Sequence, residues 1–370
     1  MGRCRHCDKS AKTISGTIGY CGDCVRDHFD VVWPEIKKVH DRSRMAYGLP
    51  SDPPRAGHGL NCPLCVHGCR IPEGAAGYCG LRRAHSGRIV GGRPHEGNLS
   101  YYYDGLPTNC VADFVCPAGT QSGHPQYSVS QGPEYGYKNL AVFYEACSFN
   151  CLYCQNYHFK ERTAFPSRRS SRELADAVDQ RTTCICFFGG DPSPQILHAI
   201  KASRLALKKA RAAGQVLRIC WETNGVAREP FASMMAKLSL ESGGCIKVDL
   251  KAWDGRLHRA LCGAGNEMTL ENFRNWSKWM DRRPEPPFLV ASTLLVPGYV
   301  DEREVGAIAA FLARLNPEIP YSLLAFHPTF YLKDLPTTSR THARRCLEAA
   351  SRAGIRRLHV GNAHLLRDDD

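Results

Sequence analysis

Residues Ala146-Cys147-Ser148-Phe149-Asn150-Cys151-Leu152-Tyr153-Cys154-Gln155-Asn156 carry three cysteines spaced C-x3-C-x2-C at the end of a short apolar run. Three thiolates in so tight a loop can hold three irons of a [4Fe–4S] cluster and leave the fourth iron open to another ligand. A structural zinc site would want a fourth thiolate or imidazole, for which His158 is the nearest candidate. The loop also opens a series. From about residue 139 onward, short apolar runs alternate with amphipathic stretches.

The apolar runs are Asn139–Ala146, Cys184–Gly190, Val216–Gly225, Cys245–Trp253, Leu289–Gly298, Ile319–Pro328 and Arg357–Asn362. Helical patterns lie between them at Arg172–Gln180, Pro194–Ala213, Glu229–Leu240, Leu270–Asp281, Glu302–Leu315 and Thr341–Ala353. Pro194 after Ser193, and Gly214, read as the start and stop of the second helix. Strands alternating with helices imply a parallel sheet with crossover connections. Six or seven units are too few for a complete eightfold barrel. The expected fold is α/β, a partial (β/α)6 TIM-like barrel.

Each run ends in polar or glycine-rich residues: the triplet loop, Gly189-Gly190-Asp191-Pro192, Glu222-Thr223-Asn224-Gly225, Asp249-Leu250-Lys251, Val296-Pro297-Gly298 and Phe326-His327-Pro328. Such tips gather at the C-terminal mouth of a barrel, where this architecture carries its chemistry.

The other cysteines are grouped as well. There are 19 in all, and the N-terminal Met1-Gly2-Arg3-Cys4-Arg5-His6-Cys7 lacks the apolar core of a secretory signal, so metal ligation is preferred to a disulfide framework and a cytoplasmic location is expected. Cys4, Cys7, Cys21 and Cys24 form C-x2-C-x13-C-x2-C, near the spacing of a zinc ribbon. Cys62, Cys65, Cys69 and Cys79 form a second quartet, suited to zinc or an iron–sulfur cluster. Cys110 and Cys116 could cap another cluster, line a substrate pocket or be buried thiols. Cys184, Cys186, Cys220, Cys245, Cys262 and Cys346 read as small core hydrophobes, with Cys184 and Cys186 sharing one strand face. The expected organisation is a zinc-ribbon-like module with linker over 1–55, a second Cys4 module over 56–100, a connecting segment over 101–138 and the barrel over 139–370.

These motifs resemble the radical S-adenosylmethionine (SAM) superfamily, and within it the group around the pyruvate formate-lyase activating enzyme. The resemblance covers roughly 140–362: the Cys loop, a GGE-like turn, a TNG tip, a DLK tip, a VPG tip and a late His, in that order. It implies that Cys147, Cys151 and Cys154 bind a [4Fe–4S] cluster whose open iron is chelated by SAM. Tyr153 matches the aromatic beside the adenine. Gly189, Gly190 and Asp191 match the turn that receives the SAM amino group. Asp249 and Lys251 match the pair near the ribose and carboxylate, and His327 the late His beside the nucleoside. Thr223 and Asn224 belong to the TNG tip, with Glu222 where relatives often carry Asp. The implied reaction is reductive cleavage of SAM to a 5′-deoxyadenosyl radical that abstracts hydrogen from a substrate. No catalytic side chain is assigned beyond the cluster.

Two features depart from simple glycyl-radical activases: about 146 residues precede the triplet, and both quartets come before it. The expected functions are therefore activation of a glycyl-radical enzyme, or modification of RNA, a peptide or a small molecule. A non-enzymatic zinc-ribbon binding protein on a degenerate barrel is the third reading. A reducing donor such as flavodoxin or ferredoxin and a protein substrate are the expected partners. The formal charge of +12 keeps nucleic acid in view. No apolar run approaches the roughly 20 residues needed to span a bilayer.

Overall fold

The computed structural model describes residues 1–368. Its centre is a nine-stranded sheet. We label the strands β1 (Glu96–Gly105), β2 (Lys138–Tyr144), β3 (Arg168–Ser170), β4 (Thr182–Gly189), β5 (Arg218–Thr223), β6 (Ile246–Asp249), β7 (Leu289–Leu295), β8 (Tyr321–Ala325) and β9 (Leu358–Gly361), in the spatial order β9-β8-β7-β6-β5-β4-β2-β1-β3. The strands from β9 through β4 to β2 are all parallel to their neighbours. β1 joins β2 antiparallel, and β3 joins β1 antiparallel. Each of the seven expected apolar runs overlaps one parallel strand.

Ten helices are labelled along the chain: α1 (Gly22–Asp27), α2 (Phe29–Met45), α3 (Phe159–Ala164), α4 (Ser171–Asp176), α5 (Ile196–Ala212), α6 (Phe231–Ser242), α7 (Gly255–Cys262), α8 (Glu267–Ser277), α9 (Glu302–Leu315) and α10 (Arg340–Arg352). From α3 onward they fill the crossovers. Local chemistry fixes their ends. The side chains of Ser170, Asp254, Asp301 and Ser339 accept hydrogen bonds from the first turns of α4, α7, α9 and α10. The buried face of α5 is built from Ala199, Ala202, Ser203, Ala206 and Ala210, small residues that let the helix approach the sheet closely. Alternation along the strands sorts the side chains. Phe187 on β4 and Trp221 on β5 stack at 4.7 Å and are fully buried. Cys184, Cys186, Cys220 and Glu222 project from the opposite, inner face.

Residues 106–137 link β1 to β2 across the inner side and reach the far edge of the sheet. Phe114 stacks on His359 of β9 at 4.6 Å, and the Asn109 side-chain amide donates to Asn362 at 3.4 Å. The segment thus spans the seam that seven parallel strands leave open.

The N-terminal region departs from the expected layout in two places. α2 occupies what was read as linker, and β1 runs across the expected boundary at residue 100. Both are recruited by tertiary packing. α2 buries Val32, Ile36 and Val39, and β1 pairs along its length with β2. The first quartet docks on the rim: Ser15 Oγ and Gly16 N donate to Asp334 at 3.0 and 2.7 Å, and Tyr299 Oη donates to the Tyr20 carbonyl at 2.9 Å. Among the described residues, no helix is long and apolar enough to cross a membrane.

Candidate active site

The triplet loop leaves β2 and is braced from behind. Asn150 Nδ2 donates to His40 Nδ1 at 2.9 Å and to Ser43 Oγ at 2.8 Å, while His40 Nε2 bonds the Ala260 carbonyl at 3.0 Å. His67, between the second and third cysteines of the second quartet, bonds the Ser148 carbonyl through Nε2 at 2.5 Å. Lys160 is buried beside the loop and donates to Asn150 Oδ1. Burial, reinforced by the charge of Arg44, pushes its pKa down to about 8.

The loop lines a cavity of about 180 Å³ together with Gly189, Gly190, Asn224, Asp249, Lys251 and Ser292. Gly189 and Gly190 are there because nothing larger fits. A Cβ on Gly190 would meet the Ala146 carbonyl oxygen at 2.2 Å, and Gly189 has φ +103° with the Tyr144 nitrogen 2.7 Å from its Cβ position. At the β6 tip, Lys251 Nζ lies 2.7 Å from Asp249 Oδ2, and Ser292 Oγ donates to Asp249 Oδ1 at 2.7 Å. Burial works against the Lys251 charge, and Asp249 and Cys151 outweigh it, so its pKa stands above the ordinary lysine range.

The expected site residues separate into those in this cavity and those outside it. Cys147, Cys151, Cys154, Tyr153, Gly189, Gly190, Asn224, Asp249 and Lys251 line it. Asp191 points inward instead. Its carboxylate accepts from Ser148 Oγ, Ser193 N, Thr223 Oγ1 and Asn224 N at 2.8–3.2 Å, and so ties the triplet loop to the β4 and β5 tips. Thr223 is consumed by that network. Glu222 turns toward the barrel interior and pairs with Lys247 at 2.9 Å. His327 is exposed beyond β8 and stands outside the cavity lining. Lys160, Asn150 and Ser292 were missed by sequence reasoning. A lysine ten residues beyond an asparagine of the triplet loop carries no motif, and a serine within an apolar strand reads as core.

The donor set fits a cluster rather than one ion. Among the described residues, only Cys4, Cys7, Cys21 and Cys24 bring their ligand atoms within 4.8 Å of one another. Two thiolates on one zinc can be at most about 4.6 Å apart, twice the Zn–S bond of about 2.3 Å, so the first quartet has single-ion geometry. The triplet does not, and neither does the second quartet. Cys147 Sγ accepts from Phe149 N at 3.3 Å and Asn224 Nδ2 at 3.5 Å, the hydrogen bonding that steadies a ligating thiolate.

A second group of thiols lies deeper. Cys110, Cys116, Cys184, Cys186, Cys220 and Cys245 line a separate cavity of about 120 Å³ inside the barrel. Cys184, Cys186, Cys220 and Cys245 are buried, as expected of core residues, and also border this space; Cys262 and Cys346 are fully buried.

Parts of this chain resemble known proteins. Residues 141–312 match the model of the Radical SAM superfamily. The chain is 22% identical over 311 residues to the uncharacterized protein MJ0808 of Methanocaldococcus jannaschii, covering 82% of this chain and 81% of that one. It is 24% identical over 261 residues to the isethionate sulfite-lyase activating enzyme of Desulfovibrio desulfuricans, covering 55% of this chain and 81% of the relative. Among solved structures, a domain of a pyruvate-formate lyase-activating enzyme from Bacteroides vulgatus superposes with a TM-score of 0.38 at 24% identity, covering 48% of this chain and 98% of that domain.

Proposed function

We propose, from the premise that residues 141–312 are a radical SAM domain, that Cys147, Cys151 and Cys154 hold a [4Fe–4S] cluster and that the adjoining cavity holds SAM. The observation carrying this reading is the meeting of three dispersed thiols and a fixed Lys251–Asp249–Ser292 chain in one cavity. When bound, the cluster and SAM supply a 5′-deoxyadenosyl radical that takes hydrogen from a substrate. The chain's own residues bind and orient. Lys251 offers a point charge to a carboxylate. Asp249, held by Lys251 and Ser292, accepts from ribose hydroxyls. The backbone at Gly189 and Gly190 receives an ammonium at close range, and Tyr153 covers the adenine. Asp191 is a positioning residue, since it fixes Asn224 against Cys147.

The substrate in this reading is a partner protein that becomes a glycyl-radical enzyme, and similarity to the isethionate sulfite-lyase activating enzyme supports it. A flavodoxin or ferredoxin supplies the electron, and the formal charge of +12 suits such acidic donors. Nineteen unpaired thiols suit a reducing cytoplasm. The first quartet holds zinc.

Anaerobic reconstitution with a reductant and SAM tests the reading. Wild type releases 5′-deoxyadenosine and Cys151→Ala releases none; release by both variants, or by neither, overturns it. Deuterium carried into the nucleoside from a labelled glycine of a candidate lyase identifies the substrate class. Steeply salt-dependent RNA binding without such transfer would favour RNA instead.

A further inference from the structure

The inner face of the sheet carries a second concentration of thiols, away from the triplet. β4 presents Cys184 and Cys186, β5 presents Cys220, Cys245 immediately precedes β6, and residues 106–137 bring Cys110 and Cys116 across from the other side. Cys186 and Cys220 are direct partners in the β4–β5 register. Lys247, on the same face of β6 as Cys245, donates through Nζ to Cys110 Sγ at 3.0 Å and to Cys186 Sγ at 3.1 Å, and its charge is paired with Glu222 at 2.9 Å.

These thiols pack with Ala112, Val115 and Val290, but apolar packing alone does not account for the space and the charge beside them. A buried thiol used as a small hydrophobe packs against apolar atoms at crystal-like density. Here the thiols surround about 120 Å³ of space, and a nearly inaccessible ammonium is aimed at two of them. Burying that ammonium costs several kcal/mol unless it serves anionic partners, and Glu222 satisfies only one of its three hydrogens. The sulfurs are also too dispersed for one ion: no three of them come within 4.8 Å, whereas those of the first quartet do. Soft ligands spread around a shared space suit a polynuclear iron–sulfur centre, in which separate irons meet separate thiolates. A lysine donating to the ligating sulfurs offsets the negative charge of such a centre and raises its potential.

We infer that Cys110, Cys186, Cys220 and Cys245 ligate an additional iron–sulfur cluster inside the barrel, with Lys247 as hydrogen-bond donor to its thiolates. Cys184 is left out of the set because its thiol donates to Asn139 Oδ1 at 3.0 Å, a closer hold than the 3.8 Å contact of Cys110 Sγ with Glu222 Oε1. The inner cavity adjoins the mouth. Phe188 and Glu222 line both it and the smaller space bounded by Gly189, Asn224 and Asp249. A centre there would face the substrate side of the triplet cavity. The inference stands on residues the triplet reading does not use.

The test is iron and acid-labile sulfide per chain after anaerobic reconstitution, in wild type and in Cys110→Ala, Cys186→Ala and Cys184→Ala. Cys110→Ala and Cys186→Ala lose one cluster's complement of both elements, while Cys184→Ala keeps the wild-type content. All four proteins keep the SAM-dependent change in the electron paramagnetic resonance signal of the triplet cluster, which separates failure of this inference from failure of the triplet reading. Equal iron and sulfide in all four overturns the inference. Should an alanine variant misfold, as loss of the zinc of the first quartet would reveal, Lys247→Met leaves every ligand in position. It keeps the extra iron and shifts one reduction potential to a more negative value; unchanged potentials throughout would equally overturn the assignment.

Discussion

Arg218 and Glu134 form a bidentate ion pair in the interior, with Nη1–Oε1 at 2.8 Å and Nη2–Oε2 at 2.6 Å and both side chains essentially inaccessible. Arg218 also donates to Thr183 Oγ1 at 3.1 Å and to the Tyr127 carbonyl at 2.7 Å. The pair locks residues 106–137 onto β5, and with them the loop that carries Cys110 and Cys116. Removing one partner leaves an uncompensated buried charge. Glu134→Gln should therefore destabilise the protein by about 3–5 kcal/mol, read from urea midpoints, and the double variant with Arg218→Met should recover part of the loss. Additive losses would mean that the two groups do not act as a pair.

Lys251 is held by Asp249 for one task at the cavity wall. Removing a charged donor to a ligand carboxylate costs about 1.5–3 kcal/mol. Lys251→Met should accordingly weaken SAM binding by roughly tenfold to somewhat over a hundredfold, measured by equilibrium dialysis on reconstituted protein. Ser292→Ala acts only through Asp249 and should weaken binding less. Affinity unchanged in Lys251→Met would remove this lysine from the site.

Acid should loosen the brace behind the triplet loop. Burial pushes the pKa of His40 down to about 4, while an exposed histidine titrates near 6.5. The unfolded chain then takes up a proton that the native state refuses. Stability is complete above about pH 6.5 and is lost as pH falls through the interval to about 4, by on the order of 3 kcal/mol for this residue. His67 and His258 are depressed to the same level and act in the same direction. Denaturant titrations at pH 7 and pH 5 check this, and His40→Asn should show a smaller drop between them than wild type does.

The first quartet should need its ion to stay on the rim. Too little apolar surface lies in residues 1–28 to hold them together, so metal-binding energy is folding energy there. Stripping zinc, or Cys7→Ser, should raise proteolysis within residues 1–28 by at least about tenfold, followed by mass spectrometry. Cleavage at the rate of the metal-loaded protein would show that Asp334 and Tyr299 anchor the ribbon unaided.

The barrel could be read from the chain because its strands and crossover helices alternate in hydrophobic period, and each parallel strand overlaps an apolar run. α2 was hidden by its composition. Phe29–Met45 contains Pro34, and its packed face includes His40, Ser43 and Arg44, which a hydrophobic pattern does not register. β1 was hidden because its aromatics, Tyr101 to Tyr103, sit in a stretch otherwise resembling a linker. At the site, motif order singled out Asp249 and Lys251, and both line the cavity beside the triplet. It could not tell that Asp191 faces inward, since a carboxylate that receives four hydrogen bonds and one that greets a ligand have the same letter. The inner thiols left a fuller signal than the shared face of Cys184 and Cys186: Cys220 and Glu222 are also two residues apart, as are Cys245 and Lys247, so each strand marked its lumenal face.

His40, Ser43 and His67 all belong to segments synthesised before the loop they brace. A ribosome delivers the ribbon and the second quartet first, and the strands that complete the mouth only later. Maturation of this protein is therefore ordered in time: the N-terminal segments must fold early, because the triplet loop has no complete backing until they do. Chains whose N-terminal segments fail to fold should then accumulate with the barrel made and the triplet loop unbraced, a coupling of two distant folding events through a few hydrogen bonds.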